Sequence, residues 1–191
     1  MITLETIEDF ARDNDVPIMS RESIDFVSKT LKENKAVSIL EIGTAIAYSA
    51  SALVLEEPDR TILTLERDEE RYDQANKNIS DLNLKNQIQT VLTDAQHYSV
   101  EGHYDALIID AAKAQNLSFF KLYFAYTDKV CIIDNIDYHG FVEERFDEIY
   151  SRNLRSMMRR IKEFKEYLNS RPDLISTYHD IGDGMIVVKR K

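Results

Sequence analysis

Between Val37 and Ser49 the chain reads Val-Ser-Ile-Leu-Glu-Ile-Gly-Thr-Ala-Ile-Ala-Tyr-Ser, a short apolar run stopped by Gly43 and followed by a helical pattern through Tyr48, Ala50, Ala52 and Leu53. An apolar run of that length ending in glycine is the pattern of a buried parallel strand feeding a helix. Such a turn leaves free backbone N–H groups at the helix N-terminus, where a carboxylate or phosphate is welcome. Gly43 lets the main chain approach a ligand where a Cβ would collide. About 23 residues further on, a second apolar run, Thr61–Leu65, ends in Glu66. An acid at the tip of the second strand can take both hydroxyls of a ribose. The chain therefore begins with a nucleoside-type site, a purely structural turn being the alternative.

A dinucleotide fingerprint needs three glycines, G-x-G-x-x-G, to admit a pyrophosphate. Here Gly43 stands alone, with Ala45 and Tyr48 in the other two places. Glu41 would repel a pyrophosphate but suits a cofactor carrying an amine and a sulfonium. The single-glycine E-x-G pattern resembles the first motif of S-adenosylmethionine-dependent methyltransferases.

At 191 residues the chain is one domain, large enough to bury roughly two-thirds of its unfolded surface. No apolar run approaches the ~20 residues of a membrane span, and the acidic start, Met1–Asp9, is unlike a secretory or transit peptide. The single cysteine, Cys131, lies inside an apolar run and rules out a disulfide within the chain, which fits a cytoplasmic protein. A net charge of −10 argues against a general nucleic-acid coat. That charge is unevenly spread. Arg152–Arg171 holds seven basic side chains against Glu163 and Glu166, a net +5 that leaves −15 on the remainder.

Taken in order, residues 1–35 form an expected N-terminal helical cap: a short helix over Thr3–Asn14, a break at Val16-Pro17-Ile18-Met19, and a second helix capped by Ser20. Asp68 is the expected N-cap of a crossover helix with Tyr72, Ala75, Ile79 and Leu82 on its inner face. Strands are expected at Ile88–Leu92, ending in Thr93-Asp94-Ala95, at Ala106–Ile109, ending in Asp110, and at Val130–Ile133, ending in Asp134-Asn135, with a helix over Gln115–Tyr126. Strands alternating with helices predict a parallel sheet with right-handed crossovers and ligands outside the strands' carboxyl ends. The rhythm then changes. Phe141–Leu168 reads as a long helical region broken near Ser151–Asn153, and 141–171 as a basic insertion. Leu174–His179 and Met185–Val188 flank Gly182-Asp183-Gly184 as a hairpin.

Asp110, Asp134 and Asn135 are placed at the tips of adjacent strands, which run about 4.8 Å apart, so they can meet around one ion. Two carboxylates and an amide, with no His or Cys, suit Mg²⁺ or Ca²⁺ rather than Zn²⁺; loop-start capping is the alternative. Lys113 can swing its amine toward the same point or stay in solvent. Tyr138 and His139 follow the tip and either wall a substrate pocket or pack. His97, His103 and His179 have no ligand spacing.

Leu40–Ala50, then Glu66-Arg67-Asp68, Ile109-Asp110-Ala111-Ala112-Lys113 and Asp134-Asn135 recur in the order seen in cation-dependent O-methyltransferases, the group of catechol and caffeoyl-CoA methyltransferases, which the chain resembles over nearly its whole length. It is most similar to bacterial tRNA 5-hydroxyuridine methyltransferases, through Val16–Met19, the Arg-rich Arg152–Lys165 and Ile181–Gly184. The resemblance implies a Rossmann-like class I α/β fold, a seven-stranded, mostly parallel sheet with helices on both faces and a C-terminal antiparallel hairpin. It further implies that Met19, Glu41, Gly43, Tyr48, Ser49 and Glu66 serve the methionine and ribose parts of S-adenosylmethionine, and Asp94 and Ala95 its adenine. Asp110 would serve cofactor and metal, with Asp134 and Asn135 completing the Mg²⁺ set and Lys113 joining Asp110 in catalysis.

The expected reaction is methylation of 5-hydroxyuridine in a tRNA anticodon, with Arg152, Arg155, Arg159, Arg160 and Lys162 meeting the RNA and a homodimer as the assembly. Small catechol-like or phenolic acyl-CoA substrates are the first alternative, a solvated basic face being the plain reading of the charged helix. A non-catalytic cofactor-binding module is the second, since the family usually has glycine where Ala47 stands and the extra methyl could crowd the cofactor's carboxylate.

Overall fold

A computed structural model describes residues 2–111, 113–137, 142 and 146–191. Strand β1 (Ser38–Ile42) lies between β2 (Thr61–Glu66) and β4 (Tyr104–Ile109), parallel to both. Outward from these, β3 (Ile88–Leu92) pairs with β2 and β5 (Thr127–Ile133) with β4, again in parallel. The seven-stranded sheet runs β3-β2-β1-β4-β5-β7-β6. Its last two strands, β6 (Leu174–His179) and β7 (Met185–Arg190), form the expected hairpin, with β7 antiparallel to β5.

Alternate residues of the central strands feed two separate cores, because successive side chains in a strand point to opposite faces. Ile39, Ile62, Ile108 and Ile132 pack on one side under α1 (Leu4–Asp13), α2 (Arg21–Glu33), α3 (Tyr48–Glu56) and α4 (Glu69–Asp81). Leu40, Leu107, Ile109 and Ile133 pack on the other under α5 (Asn116–Tyr123) and α6 (Arg152–Asn169). Both faces are covered, as the unbroken apolar strands require. Cys131 is a fully buried member of the second core.

Register, more than strand identity, prepares the site. Ile42 is level with Leu65 on one side and Ile109 on the other, and Ile109 is level with Ile133. The next residues in line (Gly43, Glu66, Asp110 and Asp134) therefore emerge together along one edge of the sheet.

Several local expectations are adjusted. The helix expected over Gln115–Tyr126 is α5 alone, with tighter three-residue turns at Lys113–Gln115 and Phe124–Tyr126. The break expected near Ser151–Asn153 is present: α6 begins at Arg152, with the Ser151 hydroxyl accepting the Leu154 N–H as its N-cap, while 141 and 143–145 lie outside the described residues. Phe146–Glu148 is a separate short turn. Tyr138 and His139 lie outside the described residues.

Candidate active site

At the carboxyl edge of the sheet lies a cavity of about 480 Å³, lined from the α1–α2 connection, the tips of β1, β2, β4 and β5, and the hairpin turn. A cavity of that size is in the range of a nucleoside-sized ligand.

The first wall follows β1. Gly43 takes φ +105°, and a Cβ there would sit 2.2 Å from the Asp110 carbonyl oxygen. Gly43 borders the cavity, but the collision that demands glycine is with the neighbouring strand tip, not with a ligand. Ala45 (φ +47°) and Ala47 (φ +60°) are left-handed alanines in the same turn, a conformation costing roughly 1–2 kcal/mol per residue for an L side chain. Ala47 is fully buried in the core and does not border the cavity. Its methyl group is packed rather than crowding a ligand. No side chain caps α3, so its N-terminal turn opens directly on the cavity through Tyr48 and Ser49. The Tyr48 hydroxyl donates to Glu8 of α1, and Arg21 of α2 grips the same carboxylate at 2.7 and 2.9 Å. The N-terminal helices are thus tied to α3, with Met19 of their connection facing the cavity.

Glu41 is set back from its expected place. It is fully buried and absent from the cavity wall, accepting 2.6 Å hydrogen bonds from Ser49 and Thr64. Burial pushes its carboxyl up to about 7 against those two bonds, with Asp110 and Glu66 adding repulsion.

The second wall is β2 and β3. Glu66 Oε2 accepts the Ala45 N–H at 2.8 Å, and Oε1 accepts those of Arg67 and Asp68 at 2.9 Å. The backbone thereby holds this carboxylate at the rim. Asp94, whose Oδ1 accepts the Gln96 N–H at 2.8 Å, and Ala95 border the cavity beyond it.

The third wall holds the charged cluster. Asn135 Nδ2 donates to Asp110 Oδ1 at 3.1 Å, and the Asn135 N–H donates to Asp134 Oδ1 at 2.7 Å. Asn135 is left-handed, with φ +59°, which folds its side chain back toward β4. Burial raises the Asp110 and Asp134 carboxyls, and repulsion between them raises Asp134 further. That repulsion belongs to the pair rather than to either member. Lys113 pulls both back down.

Sequence reasoning missed Asp183. Its carboxylate lies 3.6 Å from Lys113 Nζ, carried there by the hairpin turn. Asp137 N–H donates to the Asp183 carbonyl at 2.9 Å and Ile136 N–H to that of Gly184 at 3.1 Å, clamping the turn to the segment after β5. Only the β5–β7 pairing brings it here, so the hairpin glycines alone could not point to it.

Among the described residues no three His, Cys, Asp or Glu side chains form a metal-holding group; beside Asp110 and Asp134 the Asn135 amide is the further polar group. Asp110, Asp134 and Asn135 nevertheless fit a hard divalent cation. They can offer hard oxygen donors without His or Cys, and a buried and a half-buried carboxylate that repel each other are relieved by positive charge between them. Presenting the Asn135 oxygen instead of its nitrogen takes a half-turn of the amide.

Of the basic residues, Arg152, Arg159, Arg160 and Lys162 are exposed on α6. Arg155 is not available in the same way. Its Nε donates to the Ile149 carbonyl at 2.5 Å and its guanidinium lies over Phe146. No helix among the described residues is long and apolar enough to cross a membrane.

A sheet of this order with one antiparallel strand, and a carboxyl-edge cavity between a rim glutamate and an acid–amide cluster, defines a Rossmann-like methyltransferase. The chain belongs to the O-methyltransferase family, whose profile matches residues 2–191. It superposes on a Staphylococcus aureus protein assigned by name to the caffeoyl-CoA O-methyltransferases, with a TM-score of 0.93 and 31% identity over 100% of this chain and 93% of that one. An O-methyltransferase from Bacillus cereus solved in complex with SAH gives 0.83 and 24% identity over 98% and 90% of the two chains. A SAH-bound methyltransferase from Podospora anserina gives 0.86 and 18% over 98% and 87%.

Proposed function

We propose that the protein is an S-adenosylmethionine- and divalent-cation-dependent O-methyltransferase whose substrate is 5-hydroxyuridine in a tRNA anticodon. The observation that carries the chemistry is the meeting of Asp110, Asp134, Asn135 and Lys113 at one end of a cavity whose other end is bordered by Glu66 and Asp94.

The cofactor supplies an electrophilic methyl on a sulfonium, and a cation held by Asp110, Asp134 and Asn135 lowers the pKa of a hydroxyl and fixes its position. The chain's own residues do the rest. Glu66, held by three backbone N–H groups, takes the ribose hydroxyls, while Asp94 and Ala95 border the adenine. Ser49 and Asp110 face the amino-acid end. Lys113, 3.6 Å from Asp183, stabilises as an ammonium the oxygen that loses its proton, and would take the hydroxyl proton only in its neutral form. The walls exclude water and hold oxygen, methyl and sulfur in line, which is where most of the acceleration of a bimolecular transfer originates.

The RNA reading is supported by α6, where Arg152, Arg159, Arg160 and Lys162 are exposed on a chain that is otherwise strongly acidic. Tyr150, 95% exposed just before the helix, adds an aromatic face of the kind on which unstacked bases lie. A small-molecule reading is favoured instead by the name of the Staphylococcus aureus relative, since vicinal hydroxyls of a catechol would meet the same oxygen cluster. The test is incubation with S-adenosylmethionine, Mg²⁺ and hydroxyuridine-bearing tRNA, followed by mass analysis of the nucleosides. A gain of one methyl on hydroxyuridine is expected. Methylation of caffeoyl-CoA or catechol with none on the tRNA would replace the RNA reading by the second.

A further inference from the structure

Lys113 stands among carboxylates. It borders the same cavity as Asp110, Asp134 and Asp183. Its charge draws down the raised carboxyls of Asp110 and Asp134, and its Nζ lies 3.6 Å from Asp183 Oδ2. The two strand-tip acids repel each other, so a cation within reach is drawn toward them. A lysine on its flexible stem can be that cation, and it would then compete with a divalent ion for the same carboxylates. Asp183 differs from the tip acids in where it is anchored. The Gly184 N–H donates to the Ile181 carbonyl at 2.9 Å, and the Asp183 carbonyl accepts the Asp137 N–H at 2.9 Å. A Cβ at Gly182 would lie 2.6 Å from Ser23 Oγ of α2, and one at Gly184 would lie 2.8 Å from Asp137 Cβ. The turn is thus wedged between α2 and the segment after β5. It sets a short, stiffly placed aspartate opposite a long lysine with much rotamer freedom.

We propose that Asp183 is a positioning residue: it holds the Lys113 ammonium on the hairpin side of the cavity and so reserves Asp110 and Asp134 for a divalent cation. The inference rests on the cation reading and adds what keeps the chain's own lysine from neutralising that pair. At 3.6 Å the contact is longer than a hydrogen bond, so attraction of charge rather than a fixed donor–acceptor line holds the ammonium there. The two side chains are only 23% and 15% exposed, which leaves that attraction little screened. Removing the Asp183 charge tips the balance for the same flexible stem toward Asp110 and Asp134.

The test is calorimetric titration of the full chain with Mg²⁺, without cofactor or substrate, at about pH 8.5, where the raised tip carboxyls are ionised. Asp183→Asn should weaken Mg²⁺ binding by about tenfold, the factor reached when the ammonium spends about nine-tenths of its time at the tip acids. Made in a Lys113→Met background, the same substitution should cost less, by at least about threefold. A direct pull of Asp183 on the cation would be equal in the two backgrounds, whereas displacement of the lysine needs the lysine. Equal losses in both backgrounds, or no loss at Asp183→Asn with Lys113 present, would overturn the inference. Should Asp183→Asn fail to fold, Asp183→Ser in the same two backgrounds decides. Equal losses in a protein that binds Mg²⁺ overturn the inference only, whereas a wild-type chain that binds neither Mg²⁺ nor Mn²⁺ overturns the cation reading as well.

Discussion

The strand-tip cluster and the basic face of α6 both concentrate charge, and they do so in opposite ways. At the tips, Asp134 is buried and Asp110 half-buried; they repel each other and are held by the backbone N–H and side-chain amide of the left-handed Asn135. On α6, Arg152, Arg159 and Lys162 stand in solvent on the side of the helix away from Met158, Ile161 and Phe164. Buried like charges are unfavourable until a counter-charge arrives, so the tip cluster withholds stability from the fold. Exposed charges on a helix cost little and gain little. The comparison teaches that the first region is shaped for an occupant inside the protein, and the second is free to meet one outside it.

The sharpest way to break this contrast is Asp134→Asn. Methyl transfer should fall by at least about a thousandfold through loss of several kcal/mol of charge stabilisation, while affinity for the cofactor changes little. The stability of the cation-free protein should move the other way. The Asp134 carboxyl is raised by burial and by Asp110. A raised acid stabilises the fold below its unfolded pKa and loses that contribution as pH rises through the folded one. Wild-type stability should therefore decline as pH rises from acid toward neutral, and Asp134→Asn should remove part of that slope, gaining roughly 2 kcal/mol at mildly alkaline pH in denaturant titrations. Unchanged turnover, or a variant that loses stability, would mean that the tip carboxylates are structural.

Next in size is the outer face. Arg152→Glu, Arg159→Glu and Lys162→Glu together should weaken RNA binding by tenfold or more and flatten its salt dependence by about two in the log–log slope. The melting temperature should stay near that of the wild type, since none of the three is packed. Equal RNA affinity at all salt concentrations would reduce α6 to a solvated face.

A third measurement returns to the tips. Mg²⁺ should raise the melting temperature more at about pH 8 than at about pH 5.5, because the ligating carboxylates must be deprotonated to hold it.

The smallest effect is expected at Ala47→Gly. Relief of a left-handed alanine gives about 1–2 kcal/mol. Loss of a buried methyl, about 0.8 kcal/mol, and added freedom of the unfolded chain, about 0.4–1 kcal/mol, oppose it. Stability should change by less than about 1 kcal/mol in either direction, with cofactor affinity intact. A large gain in affinity would show that the methyl does reach the cofactor.

Much of this architecture is legible in the chain because the signals are local. The apolar runs at Ile39–Ile42 and Ile62–Leu65 declare buried strands, and the residues closing them, Gly43 and Glu66, declare where the strands end. The tip acids Asp110 and Asp134 follow from the same logic. Other features are settled by partners distant in sequence. Glu41 looks like a ligand-facing acid until Ser49 and Thr64 are seen to claim both its oxygens. Arg155 looks like one of a stripe until Ile149 and Phe146 take it. Asp183 gives no sign of its place beside Lys113.

The order of apolar runs, glycines and terminal acids determined by itself that this chain would make a doubly wound sheet with a ligand edge, since strand length, period and punctuation act over a few residues. Only the folded molecule decided which side chains face that edge. That choice depends on register between strands and on which hydrogen-bond donors arrive from elsewhere, and neither is encoded within reach of the residue concerned.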